Sequence, residues 1–255
     1  MSSVTIGVVC EDKGHATVVT TIVDAAVLAR HTWLDGILDH CRKYSGKDTG
    51  TAWYKYNPDD ARDLRPLLID GRRMPIHGHV DGRPLKPEAG MWRKVLLLLV
   101  HAEPRPDVVV LARDIDGYPE RREGLNQVRH AQTLKWPFKI AFAGPAPETE
   151  AWYVSGFAPK NEAERTALTT VTKKLSFDPT RDSHRLTSHP NNAATDAKSV
   201  LDQLCEKDPE REASCLADHG VLRARGAMNG LAAFLDEVEE MIVPAFMAPS
   251  QARSP

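Results

Sequence analysis

The sequence predicts an α/β protein whose mainly parallel sheet is flanked by helices, in a Rossmann-like arrangement. Three short apolar runs, at 4–10, 108–112 and 138–143, have the length and continuity of strands buried on both faces. Segments with apolar residues three and four positions apart separate these runs, as expected for amphipathic helices. Strands that alternate with helices are typical of parallel sheets.

Composition places the chain among ordinary globular proteins. Of its 255 residues, 42% are hydrophobic and 27% are charged, and the formal net charge is −2. Because the net charge is close to zero, the protein has no overall positive potential that would attract nucleic acid. The four cysteines form no CxxC pair with the spacing of a zinc finger, so we expect reduced thiols in a cytoplasmic protein. The N-terminus lacks the pattern of a secretory signal, and the apolar run at 95–100 is too short to span a membrane.

The first 84 residues predict a strand, a helix and an irregular connection. The strand at 4–10 ends at Glu11, and the turn at 12–14 leads into a helix that continues to residue 29. A short helix and a loop are expected between residues 31 and 60, followed by a short strand at 65–70. The glycine- and proline-rich stretch at 71–84 carries His77 and His79, which could ligate zinc. Because no third ligand accompanies them, a polar loop is favoured.

The central part of the chain predicts two further helices around the second and third strands. The stretch at 86–101 has a wide apolar stripe suited to packing against a sheet. After the central strand, Pro119 can begin a helix that continues through Leu134 and exposes several basic residues. The strand at 138–143 is followed by a glycine- and proline-rich break, and a helix is expected to begin near Glu150.

The C-terminal part of the sequence is predicted to be helical. Helical patterns follow residue 161, cover 196–204 and recur at 228–242, and a long polar loop is expected at 176–192. We therefore predict an α/β core at 1–158, a helical C-terminal part at 159–245 that completes the domain, and a flexible tail at 246–255.

Acidic side chains follow each of the three predicted strands. Glu11 follows the first, Asp114 and Asp116 follow the second, and Glu148 and Glu150 follow the third. The carboxyl ends of parallel strands share one edge of a sheet, so these acids are expected to form one site. Clustered carboxylates repel each other unless cations neutralise them, so Mg²⁺ or Mn²⁺ is expected there. The absence of histidine and cysteine from this set argues against zinc.

The order of these motifs resembles a known family. A strand ending at Glu11, and a later strand followed by Asp114-Ile115-Asp116-Gly117, resemble the Toprim domain of topoisomerases, primases and overcoming-lysogenisation-defect nucleases. The segment IAFAGPAPETEAW at 140–152 is similar to an uncharacterised Toprim-like family often encoded beside ATPases in bacterial defence islands. In the Toprim pattern a glycine directly follows the first glutamate, whereas here Asp12 and Lys13 precede Gly14.

The resemblance implies a metal-dependent nuclease that acts in anti-phage defence with an ATPase partner. It assigns the divalent cations, Mg²⁺ or Mn²⁺, to four acids and adds a catalytic lysine that stabilises charge on the phosphate. These residues are Glu11, Asp114, Asp116, Glu150 and Lys198. The basic residues near the acids are candidates for binding DNA or RNA, and they are Lys13, Arg121 and Arg122. No membrane association is implied, and a homo-oligomer remains open.

Two other classes of function remain compatible with the same residues. One is a catalytically silent Toprim-like module that binds a partner protein or nucleic acid. The other is a DxD phosphotransferase or phosphatase of the haloacid dehalogenase type, whose nucleophilic aspartate opens a DxD after a strand. In that family the motif continues with threonine or valine, whereas here Tyr118 follows Gly117. A sugar-nucleotide transferase also uses DxD, but the sequence shows no clear nucleotide-binding fingerprint.

Overall fold

The computed structural model describes residues 3–45, 54–55, 68–69, 72–73, 78–115, 118–188 and 193–246. The strands are β1 Val4–Cys10, β2 Arg42–Ser45, β3 Tyr54–Lys55, β4 Leu68–Ile69, β5 Arg72–Arg73, β6 His79–Val80, β7 Arg83–Pro84, β8 Val108–Ala112 and β9 Lys139–Ala143. The α-helices are α1 Lys13–Arg30, α2 Leu38–Cys41, α3 Ala89–Val100, α4 Glu120–Arg129, α5 Glu150–Gly156, α6 Glu162–Leu175, α7 Ala197–Cys205, α8 Pro209–Cys215, α9 His219–Arg225 and α10 Leu231–Glu237.

The main sheet is parallel, which confirms the predicted fold class. Its strand order is β2-β1-β8-β9, and the two residues of β3 pair with the last residues of β1. Every residue of β1 and β8 is buried, as their continuous apolar sequences predict for central strands. In the register, Val9 lies opposite Leu111, and Leu111 lies opposite Phe142. The carboxyl ends of β1, β8 and β9 therefore meet at one edge.

Helices cover both faces of this sheet. One core cluster joins alternate residues of β1 and β8 to α1 and α10, and it includes Ile6 and Val110. The opposite face, with Val109 and Leu111, packs against α3 and α4. A third cluster joins Val154 and Phe157 to α6, α7 and the end of α8. Both faces of each strand therefore make apolar contacts, which explains why the strand sequences do not alternate between apolar and polar residues.

Among the described strands, β9 lies at the edge of the main sheet, and an ion pair covers part of its outer side. Arg129 donates to the carbonyl of Ile140 at 3.2 Å, and Glu237 accepts from the backbone N–H of Phe142 at 2.6 Å. Arg129 and Glu237 also pair with each other at 2.8 Å. Side chains therefore occupy backbone groups of β9 that would otherwise be free to pair with another strand.

Several element boundaries differ from the sequence prediction. The segment after α2 forms the parallel strand β2, which the alternation of charged and polar residues did not indicate. The helix predicted to reach Leu134 ends at Arg129, because Asp81 accepts hydrogen bonds from the backbone of Gln132 and Thr133. Two short helices, α8 and α9, were not predicted. Each has an aspartate N-cap, at Asp208 and Asp218.

The last predicted helix also begins later than its sequence pattern indicated. Gly230 has a φ of +85° and stands directly before α10, where an added Cβ would overlap the carbonyl of Gly144. The helix then continues as a π-helical turn at 238–242 and a 3₁₀ turn at Val243–Phe246. Within the polar stretch expected to be a loop at 176–192, the residues Ser183–Arg185 form a 3₁₀ turn that buries Ser183.

Some predictions fall partly or wholly on undescribed residues. Of the strand expected at 65–70, the structure describes Leu68–Ile69, which pairs antiparallel with Arg72–Arg73. His77 lies outside the described residues, and His79 belongs to β6. In the described part of the chain, no helix combines the length and the apolar composition that crossing a membrane requires.

Candidate metal centre

The ends of β1 and β8 bring the first acid and the central acid together. Glu11 directly follows β1, and Asp114 lies two residues beyond β8, which neighbours β1 in the sheet. Backbone pairing continues past β8, because the N–H of Arg113 donates to the carbonyl of Ala143, the last residue of β9, and the N–H of Ile115 donates to the carbonyl of Pro145, two residues later. This extended pairing fixes the backbone on both sides of Asp114.

The third member of the cluster is a side chain from α1. Asp12 is the N-cap of α1 and accepts a hydrogen bond from the backbone N–H of His15 at 3.0 Å. This cap starts the helix directly after Glu11 and directs His15 back toward the strand ends. Ligand atoms of Glu11, His15 and Asp114 all lie within 4.8 Å of one another. The three side chains are 31%, 8% and 21% exposed, so the cluster is largely buried.

His15 bridges two aspartates. Its Nδ1 lies 3.1 Å from Asp12 Oδ1, and its Nε2 lies 3.0 Å from Asp114 Oδ1. Burial alone would lower the pKa of this imidazole, but the hydrogen bonds and charges of Asp114 and Asp12 outweigh burial and raise the pKa to about 9. In the metal-free protein His15 is therefore protonated at neutral pH. Thr149 also donates to Asp114 Oδ1 at 3.1 Å and helps to orient this carboxylate.

Arg113 is a buried cation at the base of the cluster. The residue is 5% exposed, and its guanidinium forms ion pairs with Glu11 and with Glu88, the latter at 3.1 Å. Arg121 also pairs with Glu88, at 3.2 Å, and donates to the carbonyl oxygen of Asp114 at 2.5 Å. Glu88 has a φ of 60°, a left-handed conformation that is unfavourable for a glutamate. Its carboxylate thus bridges two arginines: Arg113, which pairs with Glu11, and Arg121, which holds the backbone carbonyl of Asp114.

Glu150 lies close enough to the cluster and to Lys198 for their charges to shift the pKa of its carboxyl. Glu150 occupies the first turn of α5, and burial raises the pKa of its carboxyl above the usual value. The negative charge of Asp114 adds to this increase in pKa, whereas the positive charges of Lys198 and His15 oppose it. Lys198 is exposed at the start of α7. The third strand end therefore contributes an acid that holds its proton more readily than an ordinary glutamate.

The remaining predicted residues differ in their surroundings. Lys13 is exposed at the first position of α1, beside Glu11. Arg121 is only 18% exposed, and its guanidinium lies over the ring of Tyr118 at 4.8 Å. Arg122 lies over the ring of Phe142 at 5.3 Å, and burial lowers its pKa. Asp116 lies outside the described residues. Of the three basic candidates, Lys13 alone is exposed, and Arg121 and Arg122 are half-buried.

The donor set of the cluster suits a divalent cation. Two carboxylates and one imidazole are ligands that Mn²⁺, Fe²⁺ and Zn²⁺ accept, whereas Mg²⁺ favours oxygen ligands alone. Because His15 stands between the acids, the argument against zinc from the sequence no longer holds. A cation that takes up Nε2 of His15 must also displace its proton, so binding would release a proton.

Comparison with known proteins adds no relative. No family model, curated protein or solved structure matches this chain. The arguments about its function therefore rest on the residues and geometry of the site.

The residues of the site that the sequence analysis missed include His15, Arg113 and Glu88. His15 is four positions after Glu11, a spacing that returns a side chain in the first helical turn to the strand end. Arg113 directly precedes Asp114, and a charged residue at the end of a buried strand is itself unusual. No sequence pattern indicates that Glu88 belongs to the site. This residue lies in a loop, and the approach of that loop to Arg113 depends on the packing of α3 and α4.

Proposed function

We propose that the protein is a metal-dependent hydrolase that cleaves phosphodiester bonds of nucleic acid. The observation that carries this proposal is the Glu11, His15 and Asp114 cluster at the carboxyl ends of neighbouring parallel strands. Ligand sites in open α/β sheets lie at this edge. The Toprim-like order of Glu11, Asp114 and Glu150 in the sequence supports nucleic acid as the substrate.

In this proposal, Glu11, His15 and Asp114 hold the divalent cation. The cation supplies Lewis acidity and neutralises charge on the phosphate. Arg113 fixes the carboxylate of Glu11 through a buried ion pair, and Thr149 fixes that of Asp114. The protein thus orients both carboxylates before substrate binds, which lowers the reorganisation that the reaction requires.

Glu150 and Lys198 take the proton-transfer and charge-stabilising roles. The raised pKa of the Glu150 carboxyl favours its protonated form relative to an ordinary glutamate, so it can donate a proton to the leaving oxygen. Lys198 is exposed next to Glu150, where its ammonium group can contact a phosphate oxygen of the substrate. We include anti-phage defence and an ATPase partner in the proposal on the Toprim-like resemblance alone.

A catalytically silent binding module is the second candidate function. The observation that favours it is that the acids already have cationic partners, Glu11 in Arg113 and Asp114 in His15. The cluster therefore does not require a metal to offset repulsion between carboxylates, as the sequence argument assumed. A module of this kind would keep the ion pairs for stability and would bind its partner without hydrolysis.

Cleavage assays separate these two functions. Supercoiled plasmid, single-stranded DNA and RNA would be incubated with the protein and Mn²⁺ or Mg²⁺, with EDTA as the metal-free condition. The proposal expects products that depend on the cation and disappear in the Asp114→Asn variant, whereas the exposed control Asp35→Asn retains them. Wild-type protein that binds the cation but cleaves no substrate, with or without an ATPase partner, would favour the binding module.

A further inference from the structure

Two buried cysteines lie side by side at the ends of consecutive helices. Cys205 is the last residue of α7, and Cys215 is the last residue of α8. Their Sγ atoms are 3.9 Å apart, and the residues are 2% and 1% exposed. A short connection, in which Glu206 and Lys207 both have positive φ angles, joins the two helices. The contact therefore links two elements that a tight turn already holds together.

The guanidinium of Arg211 contacts one of these two thiols. Arg211 Nη1 lies 3.4 Å from the Sγ of Cys215, and Glu164 holds the same guanidinium by two hydrogen bonds. The hydrogen bond with Cys205 lowers the pKa of the Cys215 thiol, and the charge of Arg211 favours its thiolate, although burial opposes both. The same contact raises the pKa of Cys205. Cys215 is accordingly the more nucleophilic sulfur of the pair.

We infer that Cys205 and Cys215 are an oxidation site, at which a small hydroperoxide converts the two thiols into a reversible disulfide. The sulfurs of a disulfide are about 2 Å apart, so the two Sγ atoms must approach by roughly 2 Å. Rotations about the side-chain bonds of two adjacent helix ends can supply this movement. A small oxidant is required because both residues are almost fully buried.

The reaction balances with the peroxide as the only oxidant. The thiolate of Cys215 attacks one peroxide oxygen, the O–O bond breaks, and the other oxygen leaves and takes up a proton. The sulfur of Cys205 then loses its proton and attacks the resulting sulfenic acid at Cys215, which releases water. Two electrons pass from the thiols to the peroxide, and hydrogen peroxide yields two molecules of water.

The position of this pair gives the disulfide a structural consequence. An added Cβ at Gly156 would overlap the carbonyl of Cys215, so α5 packs directly on the end of α8. Helix α5 carries Glu150 at its start, and α7 carries Lys198. A disulfide would covalently join the end of α7, the helix that carries Lys198, to the end of α8, on which α5 packs. The inference itself concerns the thiols and does not depend on the proposed function.

Peptide mapping of the full-length protein tests the inference. Reduced protein is treated with hydrogen peroxide, its free thiols are alkylated, and it is digested with trypsin without reduction. Cleavage after Lys198, Lys207, Arg211 and Arg223 places the two cysteines on separate peptides, 199–207 and 212–223. We expect these peptides to be joined after oxidation, and to separate again after treatment with a phosphine reductant.

Three variants assign the chemistry. The linked peptide should be absent in Cys205→Ser and Cys215→Ser, and unchanged in Cys41→Ser, which leaves the pair intact. In Cys205→Ser, Cys215 should be trapped as a sulfenic acid that reacts with dimedone. Recovery of both wild-type peptides unlinked, as alkylated thiols or as sulfinic or sulfonic acids, from protein that circular dichroism shows to be folded would overturn the inference. That wild-type measurement decides the outcome even where a variant does not fold.

Discussion

His15 Nε2 lies 3.0 Å from Asp114 Oδ1, and this contact joins the first turn of α1 to the end of β8. The two residues are 99 positions apart in the chain, so the contact exists only when the sheet is assembled. It also engages Nε2 of His15 and one carboxylate oxygen of Asp114, two atoms that could otherwise bind a cation. A metal ion that took up these atoms would therefore compete with an ion pair that already stabilises the fold.

The first prediction concerns cation affinity. Asp114→Asn and Glu11→Gln each remove a negatively charged ligand, so we expect each to weaken Mn²⁺ binding at least about tenfold. Isothermal titration calorimetry on the folded variants measures this change. Asp35→Asn removes an exposed carboxylate elsewhere and should leave the affinity unchanged. Equal affinity in all four proteins would place the cation outside this cluster.

The second prediction concerns the buried ion pairs of Arg113. Arg113→Met leaves Glu11 and Glu88 without this cation in a largely buried setting, so we expect it to lower the free energy of unfolding by about 3 kcal/mol. Urea denaturation measures the loss. The control Arg165→Met breaks an ion pair between side chains that are 57% and 82% exposed and should change stability by less than about 1 kcal/mol. Similar losses in both variants would contradict this account of Arg113.

The third prediction compares two helical glycines. An added Cβ at Gly124, in α4, would overlap the carbonyl of Pro87, whereas a Cβ at Gly90, in α3, would meet only Leu85 at 3.5 Å. Gly124→Ala must therefore separate α4 from the loop before α3, and we expect a loss of about 2 kcal/mol. Gly90→Ala should raise stability by up to about 1 kcal/mol, because alanine favours a helix. Thermal and urea unfolding test both changes, and tolerance of Gly124→Ala would show that this loop can move.

The sequence was sufficient to predict the strands that build the sheet. The runs that form β1 and β8 are rich in β-branched residues, and four of the five residues of β9 are apolar and buried. Helices cover both faces of the sheet, so the apolar pattern itself indicates the burial. The strand β2 was missed because its residues, RKYS, include charges, one of which pairs with Asp24 of α1 at 2.5 Å. An edge strand can keep polar side chains in this way, and no local pattern distinguishes it from a loop.

The candidate site, too, contains residues that the sequence could place and residues that only the fold brings together. Glu11 and Asp114 could be paired from the sequence, because parallel strands place their carboxyl ends together. The sequence did not place His15 or Glu88 in the site, since their approach depends on the N-cap at Asp12 and on the packing of α3 against α4. The cationic partners of the acids therefore emerged only from the fold, and they change the expected electrostatics from repulsion to neutralised pairs.

The fourth prediction concerns the pH dependence of stability. The hydrogen bonds from Arg211 lower the pKa of Glu164. A carboxyl group with a lower pKa in the folded state stabilises the fold fully above its unfolded pKa, about 4.3, and loses this contribution as pH falls through its folded pKa. Glu164→Gln should therefore cost about 2 kcal/mol at pH 7, and the difference from wild type should shrink below about pH 4. Urea unfolding from pH 3 to pH 8 tests this, and a difference independent of pH would contradict it.

The fifth prediction concerns Lys198 and rests on the proposed hydrolysis. Lys198 is exposed at the start of α7, close enough to Glu150 to oppose the rise in the pKa of that carboxyl. If its ammonium group stabilises charge that develops on the phosphate, Lys198→Met should lower kcat about 10²-fold while Mn²⁺ affinity stays unchanged. Lys174→Met removes an exposed lysine of α6 and should retain the wild-type rate. Initial rates on the substrate that the wild-type protein cleaves measure the effect. A Lys198→Met variant with unchanged kcat would remove this lysine from the reaction and leave the phosphate to be stabilised by the cation and the cluster alone.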